Sequence, residues 1–348
     1  VAAGATRQKG ALWKKPEKHA AARIENAENR IAEIEMSSNV YKYIYGPVPS
    51  RRLGRSLGID LVPFKTCTYD CIYCQLGRTT NKTMERRPYV PVKDILNELK
   101  IKLAMGESPD YISIAGSGEP TLHSSIGEII GMIKNMTTIP VAVLTNGSLL
   151  YLPEVRAALM QADLVIPSLD AGDEALFHYV NRPHAAISFD KMVKGLIDFA
   201  RDYPGEIWLE VMLLGGVTGI SSEVEKIASI IRTIQPARVQ LNTAFRPPAE
   251  EIAHPLSTDQ LHALKSIFPG EVDIISNEQT AAFISDLAVK SDDDIISLLA
   301  RRPCTIEDIA NGLGMHPNEV IKRMERLVTA NKVNCIVTRK RNYYTFVQ

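Results

Sequence analysis

The stretch Cys67-Thr68-Tyr69-Asp70-Cys71-Ile72-Tyr73-Cys74 decides how the rest of this chain is read. Its three cysteines fall at C-x3-C-x2-C spacing, with an aromatic directly before the last. Thiolates this close can converge on soft metal, and iron–sulfur clusters are held by cysteine thiolates. Three ligands leave one corner of a four-iron cubane open, and an open coordination position is where chemistry can happen. The competing reading is structural zinc, which wants four ligands, as two C-x2-C pairs or with histidines at short spacing. The next histidine is His123 and the next cysteine Cys304, so a local fourth ligand is missing. Five cysteines in 348 residues, with no secretory leader read at the start, argue against disulfides and for a reducing cytosol. Cys304 and Cys335 lie apart near the C-terminus, so one cluster is expected.

Working outward, Ile59-Asp60-Leu61-Val62 reads as a short strand running into the cysteine loop. Further strands are read at 111–115, 141–144, 164–169, 207–213 and 238–241. Between them helices are read at 91–103, 126–136, 153–161, 173–180, 188–202 and 221–234. β-branched and leucine-rich strands alternating with helices predict an α/β fold, a parallel sheet covered by helices. The economical closure is a partial six-unit β/α, TIM-like barrel over residues 41–290. Chemistry in such barrels sits at the C-terminal strand ends, and the unusual polar residues fall there. Gly116-Ser117-Gly118-Glu119-Pro120-Thr121 follows the second strand and Thr145-Asn146-Gly147 the third. Ser168 and Asp170 end the fourth, and Asn242, Thr243 and Arg246 follow the sixth.

The composition, 45% hydrophobic and 23% charged, is that of an ordinary soluble globular protein. No apolar run approaches the ~20 residues of a membrane span, so no membrane partner and a cytoplasmic location are expected. The formal net charge of zero hides an asymmetry. Residues 51–87 hold eight Lys and Arg against Asp60, Asp70 and Glu85, and residues 315–348 hold seven against Glu319 and Glu325. Each stretch is +5, which points to an anionic partner. Arg51 and Arg52 are the foremost candidates for grasping phosphates, and Arg246 for holding substrate.

The cysteine motif, with the Gly118-Glu119-Pro120 turn one strand later, resembles the signature of the radical S-adenosylmethionine (radical SAM) superfamily. That resemblance implies a [4Fe-4S] cluster on Cys67, Cys71 and Cys74, whose open iron chelates the amino and carboxylate groups of S-adenosylmethionine. It implies that Gly116, Gly118 and Glu119 form the turn contacting the methionine amino group, and that Tyr73 lies near the adenine. Thr145, Asn146, Ser168 and Asp170 are candidates for the ribose hydroxyls and the methionine carboxylate. A reductant such as flavodoxin or ferredoxin would be a partner. The run Tyr45-Gly46-Pro47-Val48-Pro49-Ser50-Arg51-Arg52-Leu53-Gly54 resembles iron–sulfur oxidoreductases grouped near the wyosine-synthesis tRNA-modifying enzymes. Those enzymes carry extra N-terminal cysteines, whereas residues 1–66 here contain none.

Residues 1–40 read as an extension, with an amphipathic helical stretch from Pro16 marked by Ile24, Ala27, Ile31 and Ile34. Residues 291–348 read as a separate winged helix-turn-helix domain. Helices are expected from Asp292 and from Thr305, then Pro317 to Ala330, followed by a hairpin around Arg339 to Asn342. Asn318, Lys322 and Arg326 would face a groove, and Arg339 to Arg341 would meet phosphates of RNA or DNA. The function expected is radical modification of an RNA base, with tRNA foremost. One alternative is an activase, or an enzyme acting on a protein or small molecule, with a partner-docking tail. The other is a DNA-binding iron–sulfur sensor.

Overall fold

A computed structural model describes residues 41–106, 108–275 and 291–347. All of them belong to one compact unit, Tyr41–Gln348. The helical stretch expected from Pro16 lies outside the described residues.

Strand β1 (Ile44–Ser50) runs antiparallel to β2 (Gly54–Ile59). Beyond them the chain forms a small parallel pair, β3 (Thr66–Cys67) with β4 (Asn81–Lys82). Five more parallel strands extend from β2: β5 (Tyr111–Ile114), β6 (Val141–Thr145), β7 (Leu164–Pro167), β8 (Glu206–Met212) and β9 (Arg238–Asn242). The short β10 (Val272–Ile274) closes the eight-stranded order β1-β2-β5-β6-β7-β8-β9-β10. The result is a mixed α/β fold with a central parallel sheet. Five of the six expected parallel strands are present where they were read, and two edge strands are added; the first lies at Gly54–Ile59 instead of Ile59–Val62, because residues 60–62 already turn into the cysteine loop. Sequence reading passed over β1 because Pro47 and Pro49 interrupt it. At a sheet edge, with a bulge between Tyr45 and Val48, prolines are tolerated.

Helices α1 (Val92–Ala104), α2 (Ile126–Met136), α3 (Pro153–Leu159), α4 (Glu174–Val180), α5 (Phe189–Asp202), α6 (Ser221–Ile234) and α7 (Thr258–Lys265) cross between strands. In α2 the buried residues Ile126, Ile129, Ile130 and Ile133 recur at helical spacing and form one apolar stripe. They join Leu57, Ile59, Ile112, Ile114, Val141 and Val143 of the sheet in the main core. Truncating one such isoleucine to alanine costs about 2–5 kcal/mol. The rigid sheet fixes where the loops at its C-terminal edge begin.

The tail comprises α8 (Asp292–Leu299), α9 (Ile306–Leu313), α10 (Pro317–Thr329) and an antiparallel hairpin of β11 (Val333–Thr338) and β12 (Arg341–Phe346). Ser291 with Asp294 and Thr305 with Asp308 form reciprocal capping boxes at α8 and α9. Ile295, Leu298, Ile309, Val320, Met324 and Leu327 make a second core, against which Val48 of β1 packs. The edge strand is therefore covered rather than left open to pairing. Arg339 departs from expectation. Its guanidinium donates to the carbonyls of Ala244 (2.7 Å) and Ala253 (3.2 Å), so this side chain anchors the hairpin to the β9 loop. Among the described residues no helix is long and apolar enough to cross a membrane.

Candidate functional site

The loop after β2 is shaped before any ligand is considered. Thr83 N–H donates to Cys67 O (3.0 Å), Cys74 N–H to Cys71 O (3.1 Å), and Gly77 N–H to Cys74 O (3.0 Å). Ile72 N–H donates to Val180 O (2.9 Å), which pins the loop to the end of α4. Amide side chains approach two of the sulfurs. Asn146 Nδ2 donates to Cys67 Sγ at 3.6 Å, and Asn181 Nδ2 to Cys71 Sγ at 3.5 Å. Burial pushes the Cys67 thiol up to about 12, helped by Glu119 and Cys74. It also raises Cys71, helped by Asp170 and its neighbouring cysteines, and Cys74. Ionising three half-buried thiols side by side would need cationic metal to offset the charge. Among the described residues no three His, Cys, Asp or Glu side chains form a site for a single metal ion. Three thiolates with no fourth ligand close in sequence are a donor set suited to a three-thiolate cluster.

Next to it, the turn after β5 lies tight against β3. Glu119 N–H donates to Thr66 O (3.1 Å) and Lys65 N–H to Ser117 O (2.6 Å). A Cβ on Gly118 would stand 1.9 Å from Thr66 O, so only glycine fits. Gly116 has φ +118°, and a Cβ there would meet Asp60 Oδ1 at 1.7 Å. Asp60 Oδ1 instead accepts Ser117 N–H (2.7 Å), while its Oδ2 is held by Arg301 Nε (2.9 Å). Arg301 also lies over the Tyr45 ring, 4.4 Å from its centroid.

Two predicted ligands of the cosubstrate turn out to serve the protein first. Glu119 Oε1 accepts Thr121 N–H, Thr121 Oγ1 (2.5 Å) and Thr145 Oγ1 (2.6 Å), and Oε2 accepts Asn146 N–H (2.8 Å). That carboxylate ties the second and third loops together and leaves capacity mainly at Oε2. Asp170 is 3% exposed. Its Oδ1 accepts Met212 N–H (3.0 Å), and its Oδ2 accepts Asn181 Nδ2 (2.7 Å) and the Tyr73 hydroxyl. Asp170 thus holds Tyr73, Asn181 and the Met212 backbone together, and it does not line the two cavities described next. Burial raises Asp170, to about 6, against the pull of those bonds.

One cavity of about 350 Å³ gathers Cys67, Gly116, Gly118, Glu119, Thr145, Asn146 and Ser168 with Arg51, Arg52 and Arg246. An adjoining cavity of about 270 Å³ adds Tyr73 and Cys74 and shares the same three arginines. Cys71 and Asp170 lie behind these walls, joined through Asn181. A roomier cavity of about 520 Å³, beside α9 and the hairpin, meets these walls only at Arg246. Four contributors were not foreseen: Asn181, Glu210, Arg301 and Arg302. Glu210 pairs with Arg52 at 2.5 Å and accepts Asn242 Nδ2 at 2.8 Å. Its signal was present, a carboxylate between Leu209 and Val211 of a parallel sheet strand. Asn181 carried none, and the tail arginines reach the cavity only through tertiary packing.

The Arg301–Asp60 pair makes a test. Arg301→Ala would leave a buried carboxylate unpaired, costing about 3 kcal/mol near neutral pH. Burial already raises Asp60, against the pull of Arg301, and removing Arg301 raises it further. The stability gap to the parent should therefore narrow as the pH falls and Asp60 protonates, read by denaturant unfolding at several pH values.

The Radical SAM superfamily model matches residues 61–231. A UPF0026 protein of Methanocaldococcus jannaschii is 38% identical over 226 residues, covering 64% of this chain and 70% of its own length. A UPF0026 protein of Helicobacter pylori (strain J99) is 34% identical over 294 residues, 83% of this chain and 93% of its own. A Brachyspira hyodysenteriae protein named GTPase Obg is 43% identical over 296 residues, which is 84% of this chain. The chain spans only 43% of that relative's length. It contains no Gly-Lys dipeptide, hence no G-x4-G-K-[ST] phosphate loop. Among solved structures, a radical SAM methyltransferase from Sphaerobacter thermophilus aligns with TM-score 0.50 at 17% identity, over 63% of this chain and 66% of that one. Streptococcus suis SuiB bound to S-adenosylmethionine aligns with TM-score 0.50 at 14% identity, over 78% and 60%. At such identities the likeness is one of fold.

Proposed function

We propose an RNA-directed reaction from one premise: this chain belongs to the UPF0026 family and carries a radical SAM domain. It is an enzyme, and its cofactors are those of that superfamily, a [4Fe-4S] cluster and S-adenosylmethionine. When bound and reduced, the pair supplies a 5′-deoxyadenosyl radical by cleavage of a carbon–sulfur bond, leaving methionine. In this reading Cys67, Cys71 and Cys74 hold the cluster. Gly116, Gly118, Glu119, Thr145, Asn146 and Ser168 line the cosubstrate cavity. Tyr73, steadied by Asp170 and Asn181, flanks it. These residues orient the reactants and exclude water.

The substrate in this reading is an RNA base, and a wyosine-type tRNA reaction is its most specific form. The observation that carries it is the arginine-lined cavity beside the cysteine rim. The tail, read as a winged helix-turn-helix domain, supports it. Asn318, Lys322 and Arg326 are all exposed at helical spacing on α10, a row suited to phosphates. A cytoplasmic setting and a flavodoxin- or ferredoxin-type donor belong to the same reading. The anchored Arg339 favours a second reading, in which the tail is a fixed wall and the substrate is a small anion.

The test is anaerobic reconstitution with dithionite and S-adenosylmethionine, measuring 5′-deoxyadenosine with and without tRNA. Product should rise about tenfold or more with tRNA and an altered nucleoside should appear, as productive substrate binding completes the site. Equal yields and unchanged nucleosides would remove the RNA reading. Cluster-dependent operator binding without cosubstrate cleavage would favour the sensor instead.

A further inference from the structure

Five arginines from three separate segments line the cavity; Arg301 is held by Asp60, and four others remain. Arg51 and Arg52 come from the β1–β2 turn, Arg246 from the loop after β9, and Arg302 from the connection between α8 and α9. Arg52 is paired with Glu210, and Arg246 reaches Asp308 only at 3.7 Å. Arg51 and Arg302 have no carboxylate partner among the described residues; Arg51 instead lies 5.5 Å from the Phe245 ring centroid. Buried nitrogens remain without an acceptor on all four: Arg51 Nη1, Arg52 Nε, Arg246 Nε and Arg302 Nε. Burial pushes Arg51 down, and the like charges of Arg246 and Arg52 push it further.

A buried N–H left unpaired is costly, more so on a charged group. All four residues line one cavity, and their gathered positive charge, with only Arg52 in a close ion pair, describes a site suited to an anion. A planar carboxylate offers two oxygens in one plane and a single charge. A phosphate ester offers more oxygens in tetrahedral directions and up to about two charges. Donors approaching from three segments, with two uncompensated cations among them, match the second shape.

We propose that Arg51, Arg52, Arg246 and Arg302 form a pocket for the phosphate of a nucleotide substrate, with the tail supplying the fourth guanidinium. This deepens the RNA reading above and rests on it for the neighbouring chemistry. The nucleotide is either free or turned out of an RNA strand, and both present the same phosphate to the same donors. Once seated, the phosphate holds the remainder of the nucleotide near the cysteine rim, since Cys67 lines the same cavity.

The test is equilibrium binding to the full, cluster-reconstituted chain under anaerobic conditions, with no reductant added. The probes are inorganic phosphate, a nucleoside 5′-monophosphate, the matching nucleoside, succinate and a short RNA. The monophosphate is expected to bind at least tenfold more tightly than the nucleoside, and phosphate to compete better than succinate. Arg302→Gln should weaken the monophosphate about 10–100-fold, the range for hydrogen bonds to a charged group, while S-adenosylmethionine affinity stays within about threefold. Arg302→Lys, which keeps the charge but loses the fork, should fall between, and it guards against a folding defect in the glutamine variant. Competition by RNA at matched nucleotide concentration would name the strand as the source; competition by the monophosphate alone would name the free nucleotide. Equal binding of nucleoside and monophosphate overturns the pocket. So does a loss in Arg302→Gln that falls on S-adenosylmethionine instead. Because no turnover is needed, an inactive reaction leaves this result standing, and turnover of an unphosphorylated substrate would overturn this pocket alone.

Discussion

Replacing Cys67, Cys71 or Cys74 singly by alanine is expected to remove both the iron and the reaction. In the proposed site each thiolate would hold a different iron, and two could not retain a cluster that three would hold with one corner open. Iron should fall from about four per chain to near zero, and 5′-deoxyadenosine formation by at least about a thousandfold. The fold should survive, because the sheet and its core of Leu57, Ile59, Ile112 and Ile114 do not depend on the thiols. Far-ultraviolet circular dichroism would then match the parent while the visible absorbance disappears. Cys304→Ala and Cys335→Ala are the controls. Cys304 lies inside the tail core and Cys335 is exposed on β11, so neither should alter the iron content. Full iron in any one of the three rim variants would dismiss the cluster assignment. Stoichiometric zinc in the parent, retained after anaerobic reconstitution, would dismiss it equally.

The second large effect is expected at Gly118→Ala. The added methyl carbon would stand 1.9 Å from Thr66 O and 2.8 Å from its carbonyl carbon, both backbone atoms that no rotamer change can move aside. Either β3 or the turn must shift, which would disturb the Glu119 N–H to Thr66 O bond and the position of Cys67 next in line. A cost of about 3 kcal/mol in stability follows from overpacking plus loss of a buried bond. The functional loss should be larger, since a displacement of about 1 Å at a reacting centre costs on the order of a hundredfold. Iron retention and S-adenosylmethionine affinity report it together. Gly131→Ala is the contrast, because its nearest neighbour is the flexible end of Gln161, 3.0 Å away. Wild-type iron and affinity in Gly118→Ala would show that the turn does not form against β3.

The rim was legible because two rules coincide. Strand ends are set by β-branched and leucine-rich runs, and the residues at or just past those ends, Gly116, Thr145 and Ser168, fall one after another along the C-terminal edge, with Cys67 in the loop that follows β2. What spacing cannot give is which lone pairs remain free. Glu119 and Asp170 were read as ligands of the cosubstrate, and both spend most of their capacity on protein donors. Contacts made over long sequence distance were equally hidden. Asp60 meets Arg301 across 241 positions, and Arg339 meets Ala244 across 95. The basic tail was read as offering its charge to an anionic partner, which requires those side chains to face outward. Asn318, Lys322 and Arg326 follow that rule, while Arg339 points inward.

Arg301 and Arg302 belong to the C-terminal portion of the chain yet border the same chamber as Cys67. A chimera joining this parallel-sheet region to the tail of a cousin should keep its redox machinery and change its taste for substrate. Inheritance of selectivity would then follow the hindmost exchanged piece, leaving the catalytic metal indifferent to the graft.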